Sequence, residues 1–138
     1  MTTYDVLALR RELIRDEGLK LKPYRCTAGK LTIGVGRNIE DRGITADEAM
    51  VLLDNDIVVI AAELDRAIPF WRKLSDARQR ALINMAMMGV PRLLGFKRML
   101  YALSIGDYPG AAAEALNSKW AGQVGDRAIR LADMIRRG

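Results

Sequence analysis

The stretch DEGLKLKPYRCTAGKLTIGVGRN, residues 16–38, carries the change of hydrophobic period on which the fold turns. Before it, Val6, Leu9 and Leu13, flanked by Leu7 and Ile14, recur at helical spacing, so residues 4–16 read as an amphipathic helix. Gly18 suits its left-handed cap. Inside the stretch the period shortens. Residues 21–26 and 30–36, with Tyr24, Thr32, Ile33 and Val35, flank TAGK and read as a small β-hairpin turning near Gly29. Residues 37–44 read as a polar link. Thr45 followed three residues later by Glu48 is a capping-box signal. The helix it opens is expected to run to about Ala67, with Ala49, Leu52, Leu53, Ile57, Ile60 and Leu64 inward and Pro69 stopping it. Ser75 is placed to cap a helix through ALINMAMM that breaks at Gly89 and Pro91, and further helices are expected at 93–104, 108–117 and 127–136. The pattern predicts an α+β fold, predominantly helical, with one small hairpin near its start.

At 138 residues the chain suits one domain, or two small lobes sharing a core. Half the residues are apolar and 28% are charged, the balance of a globular chain rather than a disordered one. Histidine is absent, which removes Ser-His and Cys-His hydrolase mechanisms. Acid-base work near neutral pH then falls to carboxylates, a thiol or perturbed lysines. The single cysteine forms no internal disulfide, and no Cys/His cluster suggests a metal or redox pair. Residues 1–69 carry 10 Lys/Arg against 12 Asp/Glu, a net −2, whereas residues 70–138 carry 12 against 5, a net +7. A basic second half suits a polyanionic partner, and it suits ordinary solvated surface as well. The opening MTTYDVLALRRELIRDEG has neither the apolar core of a signal peptide nor the length of a membrane span. The expectation is a protein held in the cytoplasm.

Glu17, Cys26 and Thr32 are the candidates for chemistry. Glu17 stands at the negative end of the first helix's dipole, a placement that suits a group carrying a proton. The hairpin brings Cys26 and Thr32 toward the same opening. GVGRNI lacks the third glycine of a dinucleotide loop, and no helix is expected directly after it. Gly34 and Gly36 therefore read as close-approach positions, where a backbone or an extended ligand passes near the strand.

RDEGLKLKPYRCTAGKLTIGVGRN resembles the N-terminal signature of the phage lysozymes of the T-even type, the muramidases of glycoside hydrolase family 24. Its active-site pattern is a Glu, then an Asp or Cys after eight residues, then a Thr after five more, and Glu17, Cys26 and Thr32 fit that spacing. The resemblance continues through GITADEA, the residues at 80–86, the Gly-Phe pair at 95–96, and SKW, Gln123 and DRA at 118–128. It implies a lysozyme-like single domain over 1–138. A hairpin lobe at about 18–44 would share a cleft with a helical lobe at about 45–138 that includes the N-terminal helix 4–17. It implies hydrolysis of the β-1,4 bond between N-acetylmuramic acid and N-acetylglucosamine in peptidoglycan, with no metal and no cofactor. Glu17 would protonate the glycosidic oxygen, Cys26 would take the place usually held by an aspartate, and Thr32 would help hold the attacking water. Arg127 would orient the acid and balance its charge, Trp120 and Gln123 would line the cleft, and Gly36 and Asn38 would support it.

Cys26 is within the family pattern, while the NMAMMG run and Arg37 depart from it. Cys26 weakens a two-carboxylate account, since a free thiol with a pKa of roughly 8.5 is mostly uncharged at neutral pH. Arg25 or Arg37 could lower that value. The thiol can act as base, as nucleophile or as a polar placeholder beside a water, or it can simply tie the hairpin together. NMAMMG is one residue shorter than the family's run and lacks its aromatic; Met87 or Met88 can replace that contact or serve as core. Arg37 stands where a His is common, so an ion pair there must be built otherwise. The rivals to a muramidase are a lytic transglycosylase, which needs one catalytic Glu and no activated water, and an inactive wall-binding relative. Nucleic-acid binding is disfavoured because the basic residues are not interleaved with aromatics. The muramidase reading implies peptidoglycan glycan strands as the partner, a holin-type pore for release to the wall, no stable membrane insertion, and a monomer. It implies storage in the host cytoplasm until lysis and action in the periplasm.

Overall fold

Helix α1 spans Val6–Glu17, capped by Asp5, whose Oδ1 accepts from the Ala8 N–H at 3.0 Å. It ends where Gly18 takes φ +78° and its N–H closes on the Ile14 carbonyl. The computed structural model describes residues 3–138 and is about 68% helical, with one small antiparallel sheet near the N-terminus. Met1, where the expected single domain begins, lies outside the described residues.

The sheet has the order β1(Lys20–Arg25), β2(Leu31–Gly34), β3(Arg37–Asn38). Tyr24 and Asn38 flank Thr32, so Thr32 occupies the central strand. The β1–β2 register shifts between Lys20 and Tyr24, around Pro23, which has no N–H to give to a ladder. The loop Thr27–Gly29 turns the hairpin, with Gly29 at φ +78° as three-residue loops favour. Residues 37–44 read from the sequence as a plain link. Residues 37–38 instead form β3, and α2(Ile39–Arg42) follows, capped by Asn38 through the Asp41 N–H. Two-residue strands and single-turn helices leave no periodicity to read.

Helix α3 covers Ala46–Ala67. The capping box is present: Glu48 N–H donates to Thr45 Oγ1 at 3.1 Å, and Thr45 N–H donates to Glu48 Oε1 at 2.8 Å. After a 3₁₀ turn at Trp71–Lys73 come α4(Asp76–Ala86), α5(Val90–Leu94), α6(Lys97–Ser104), α7(Tyr108–Leu116), α8(Lys119–Val124) and α9(Asp126–Arg137). Ser75 caps α4 as expected, and α4 ends before the two methionines. The helix expected over 93–104 is divided: Gly95 terminates α5, and Pro91 stands in the first turn of α5, where its missing N–H costs nothing. Helix α8 had no separate reading in the sequence; Ser118 caps it through the Ala121 N–H.

The chain clusters into two compact units, residues 1–51 and 52–138, with the boundary inside α3. In the second unit Leu64, Trp71, Leu82, Met85, Leu93, Met99, Leu103 and Ile135 form the fully buried centre of the core, lined by small Ala111, Ala115 and Ala128. Arg78 fastens this unit. Its Nε donates to the Ile135 carbonyl at 2.6 Å, and its guanidinium lies over the Tyr108 ring. The inward face expected for α3 is therefore half right. Leu64 is buried and Ile60 packs on the core, but Leu52, Leu53 and Ile57 remain exposed, as do Val6, Leu9 and Leu13 of α1. Val6, Leu9 and Leu13 belong to a unit of 51 residues, too short to enclose a core of its own, whereas Leu52, Leu53 and Ile57 lie beyond its boundary.

Candidate active site

Within residues 1–51 the structure joins the expected residues in two pairs. Glu17 ends α1 with its side chain laid against Gly36. A Cβ built on Gly36 would stand 2.8 Å from Glu17 Oε2 and 3.1 Å from its Cδ. Gly36 also has φ +68°, so a side chain there would strain the backbone and push the Glu17 carboxylate aside. The close approach read from the glycines thus occurs at Gly36, and the approaching group is Glu17. Gly34, at φ +70°, has nothing within 4 Å of its missing Cβ.

Cys26 and Thr32 meet around the Lys30 peptide. The Lys30 carbonyl accepts from Cys26 N–H at 3.0 Å and from Thr32 Oγ1–H at 2.9 Å. Thr32 is the one buried polar side chain among the described residues, and this bond satisfies it. Cys26 is half-buried. Its thiol is held below the ordinary range by the Lys30 N–H first, then by the Ala28 N–H and the Thr32 hydroxyl, against a smaller opposing effect of burial. The Thr32 proton is already given to Lys30, so the two amides are the steady donors. The sequence nominated Arg25 or Arg37 for this work, and the structure uses both elsewhere. Arg25 donates to the Gly29 carbonyl at 3.0 Å and pairs with Glu40, while Arg37 pairs with Glu48 at 2.6 Å. Asn38 serves as the cap of α2 and also donates its Nδ2 to Asp41.

The Arg37–Glu48 pair is the ion pair that had to be built otherwise. The Arg37 guanidinium and the Thr45 N–H both reach Glu48 Oε1, and they hold the Glu48 carboxyl down to about 2.

Within residues 52–138, Arg127 is clasped by Asn84. Its Nε and Nη2 reach Asn84 Oδ1 at 2.9 and 2.7 Å, and Nη2 also reaches the Asn84 carbonyl at 2.9 Å. The fork geometry fixes the guanidinium plane on the last turn of α4. Asn84 was missed in the sequence; the only sign of it was an amide inside an apolar helix run. Trp120, 6% exposed, meets Phe96 edge-to-face with centroids 5.9 Å apart. Trp120, Gln123, Phe96 and Met88 help line a cavity of about 560 Å³. Arg92, Lys97, Arg98 and Lys119 line it too, against one acid, Glu114. None of these four cations was singled out from the sequence, where they are scattered over 28 positions. Met88 packs on the core as well as lining this cavity, whereas Met87 is exposed beside a smaller one. Among the described residues no group of three His, Cys, Asp or Glu side chains could hold a metal ion.

A family model described as Phage lysozyme matches residues 15–137. An endolysin of Acyrthosiphon pisum secondary endosymbiont phage 1 is 35% identical over 89% of this chain and 84% of its own length. A SAR-endolysin of Escherichia phage Mu is 31% identical over 94% of this chain and 80% of its own. The pre-baseplate central spike protein Gp5 of Enterobacteria phage T4 is 30% identical over 96% of this chain, which spans only 28% of that much longer protein. A match over nearly all of the chain, through both the strand region and the helices that carry these side chains, establishes that it belongs to the phage lysozyme family.

Proposed function

We propose that the chain is an endolysin-type muramidase that hydrolyses the β-1,4 bond between N-acetylmuramic acid and N-acetylglucosamine in bacterial peptidoglycan. The observation that carries the reading is the Glu17 carboxylate lying against Gly36, where an added Cβ would stand 2.8 Å from Oε2, in a chain of the phage lysozyme family. Glu17 gives its proton to the glycosidic oxygen as that bond breaks. Water attacks the anomeric carbon and yields a proton to the Cys26 thiolate, which the Lys30 and Ala28 amides favour. Thr32 Oγ1, its own proton engaged by Lys30, offers a lone pair that holds this water. The thiol then returns its proton, through solvent, to the Glu17 carboxylate. In this account Cys26 is a base rather than an occupant of the aspartate's place.

Arg127, Trp120 and Gln123 serve the strand from residues 52–138. The cavity beside Trp120 combines an aromatic wall with four cations, a lining suited to a sugar that carries acidic substituents. Gly36 acts by giving Glu17 room, and Asn38 acts by holding the turn after it. The working unit is residues 1–138 as one lysozyme-like domain, monomeric, with no cofactor. Among the described residues no helix is long and apolar enough to cross a membrane. We place the protein in the host cytoplasm until lysis, with a holin-type pore giving it access to the wall.

Product analysis tests the reaction. Digested peptidoglycan should show muramic acid at new reducing ends. A 1,6-anhydro terminus would replace this reading with a lytic transglycosylase, and intact glycan with wall binding retained would replace it with an inactive relative.

A further inference from the structure

We infer that the Arg37–Glu48 ion pair is a positioning device for Glu17, acting through Gly36; the inference rests on the reading of Glu17 as the acid. Gly36 lies in the two-residue turn between β2 and β3, and Arg37 follows it directly. Arg37 is paired with Ile33 in the sheet on one side. On the other its Nη1 donates to Glu48 Oε1 at 2.6 Å and reaches the Gly43 carbonyl at 3.5 Å. Glu48 cannot swing freely to follow, because the same oxygen accepts the Thr45 N–H and its own N–H is given to Thr45 Oγ1. The anchor is thus the first turn of a 22-residue helix, the longest element of the chain.

The consequence falls on Glu17. Its carboxylate rests on the Cα face of Gly36 with no space for even a methyl group between them. A turn fixed at Arg37 fixes that surface, and with it the side-chain orientation of an otherwise exposed glutamate at a helix end. Without the pair, β3 keeps only two residues of ladder to hold the turn. A general acid displaced by a fraction of an ångström from its leaving oxygen loses rate rather than substrate affinity.

The test is kinetics on soluble, uncrosslinked glycan strands at a temperature well below unfolding, with the full chain. Arg37→Met and Glu48→Gln should each lower kcat about 10-fold with KM little changed. Arg37→Lys, which keeps a donor within reach, should recover most of the loss. Combining Arg37→Met with Gly36→Ala should cost less than the product of the two single effects, because both act on one contact. The Glu17 carboxyl carbon resonance should also move in Arg37→Met, a readout independent of turnover. Wild-type kcat in folded Arg37→Met and Glu48→Gln, with only a lower Tm, would reduce the pair to a staple and overturn the inference. Should Arg37→Met not fold, Glu48→Gln decides alone. If Glu17→Gln kept wild-type turnover, the acid assignment itself would fall; if it were inactive while both pair variants stayed fully active, only the positioning role would fall.

Discussion

Replacing Gly36 by alanine separates a catalytic contact from backbone strain, because the chain contains its own control. Gly36 and Gly34 have nearly the same φ, +68° and +70°, so an alanine at either suffers a similar left-handed penalty of about 1 kcal/mol. For a chain of this size that lowers Tm by roughly 3–5 °C in each variant. Their surroundings differ. At Gly34 the new methyl meets nothing within 4 Å, whereas at Gly36 it would stand 2.8 Å from Glu17 Oε2. Ordinary contact begins near 3.4 Å, so the carboxylate must retreat by ~0.6 Å. Misplacement by 1 Å costs on the order of 100-fold in rate, so Gly36→Ala should lose about 10-fold or more in kcat while Gly34→Ala stays near wild type. The assay is release of reducing ends from purified peptidoglycan, with thermal melts of both variants alongside. Equal kcat in the two variants would refute the reasoning, since it would mean that the Gly36 contact does not place the acid.

Other consequences follow from single residues. Alkylation of Cys26 by iodoacetamide should show a pH midpoint below that of an unstructured cysteine, and unfolding in urea should restore the ordinary value; an unshifted native midpoint would remove the thiolate base from the mechanism. Glu48 titrates at about 2 in the folded chain against an ordinary 4.5, so its stabilising contribution is whole above pH 4.5 and is lost as pH falls toward 2. Urea melts over that window should therefore fall less steeply in Glu48→Gln than in wild type, and parallel slopes would contradict the pairing. Leu82, fully buried in the core of residues 52–138, should cost about 3 kcal/mol and roughly 10 °C in Tm when cut to alanine; a loss below 1 kcal/mol would mean that the core closes over the gap.

What the sequence carried plainly was chemistry that is local. The Thr45–Glu48 box and the Ser75 cap bond within three residues, so spacing alone locates them. The spacing of Glu17, Cys26 and Thr32 was equally visible, as was the demand for closeness at Gly36. The identity of the group approaching Gly36 was not, because it comes from 19 positions away in another element. Arg37 was noticed as a departure from the family pattern, but nothing local names Glu48 as its partner. Cations were offered for Cys26 where backbone amides do the work, since turn geometry does not show in residue types. Apolar periodicity predicted an inward face along α3, but Leu52, Leu53 and Ile57 stay exposed and the face reaches the core only at Ile60 and Leu64. The four cations beside Trp120 converge only once α5, α6 and α8 have folded.

The claim that Glu17 is the proton donor is tested most directly by Glu17→Gln, which keeps size and most contacts and removes the transferable proton. Peptidoglycan turbidity and reducing-end release should fall by at least about 100-fold at unchanged Tm, the scale general acid catalysis supplies. Turnover within a few-fold of wild type in the folded Gln variant would contradict the account.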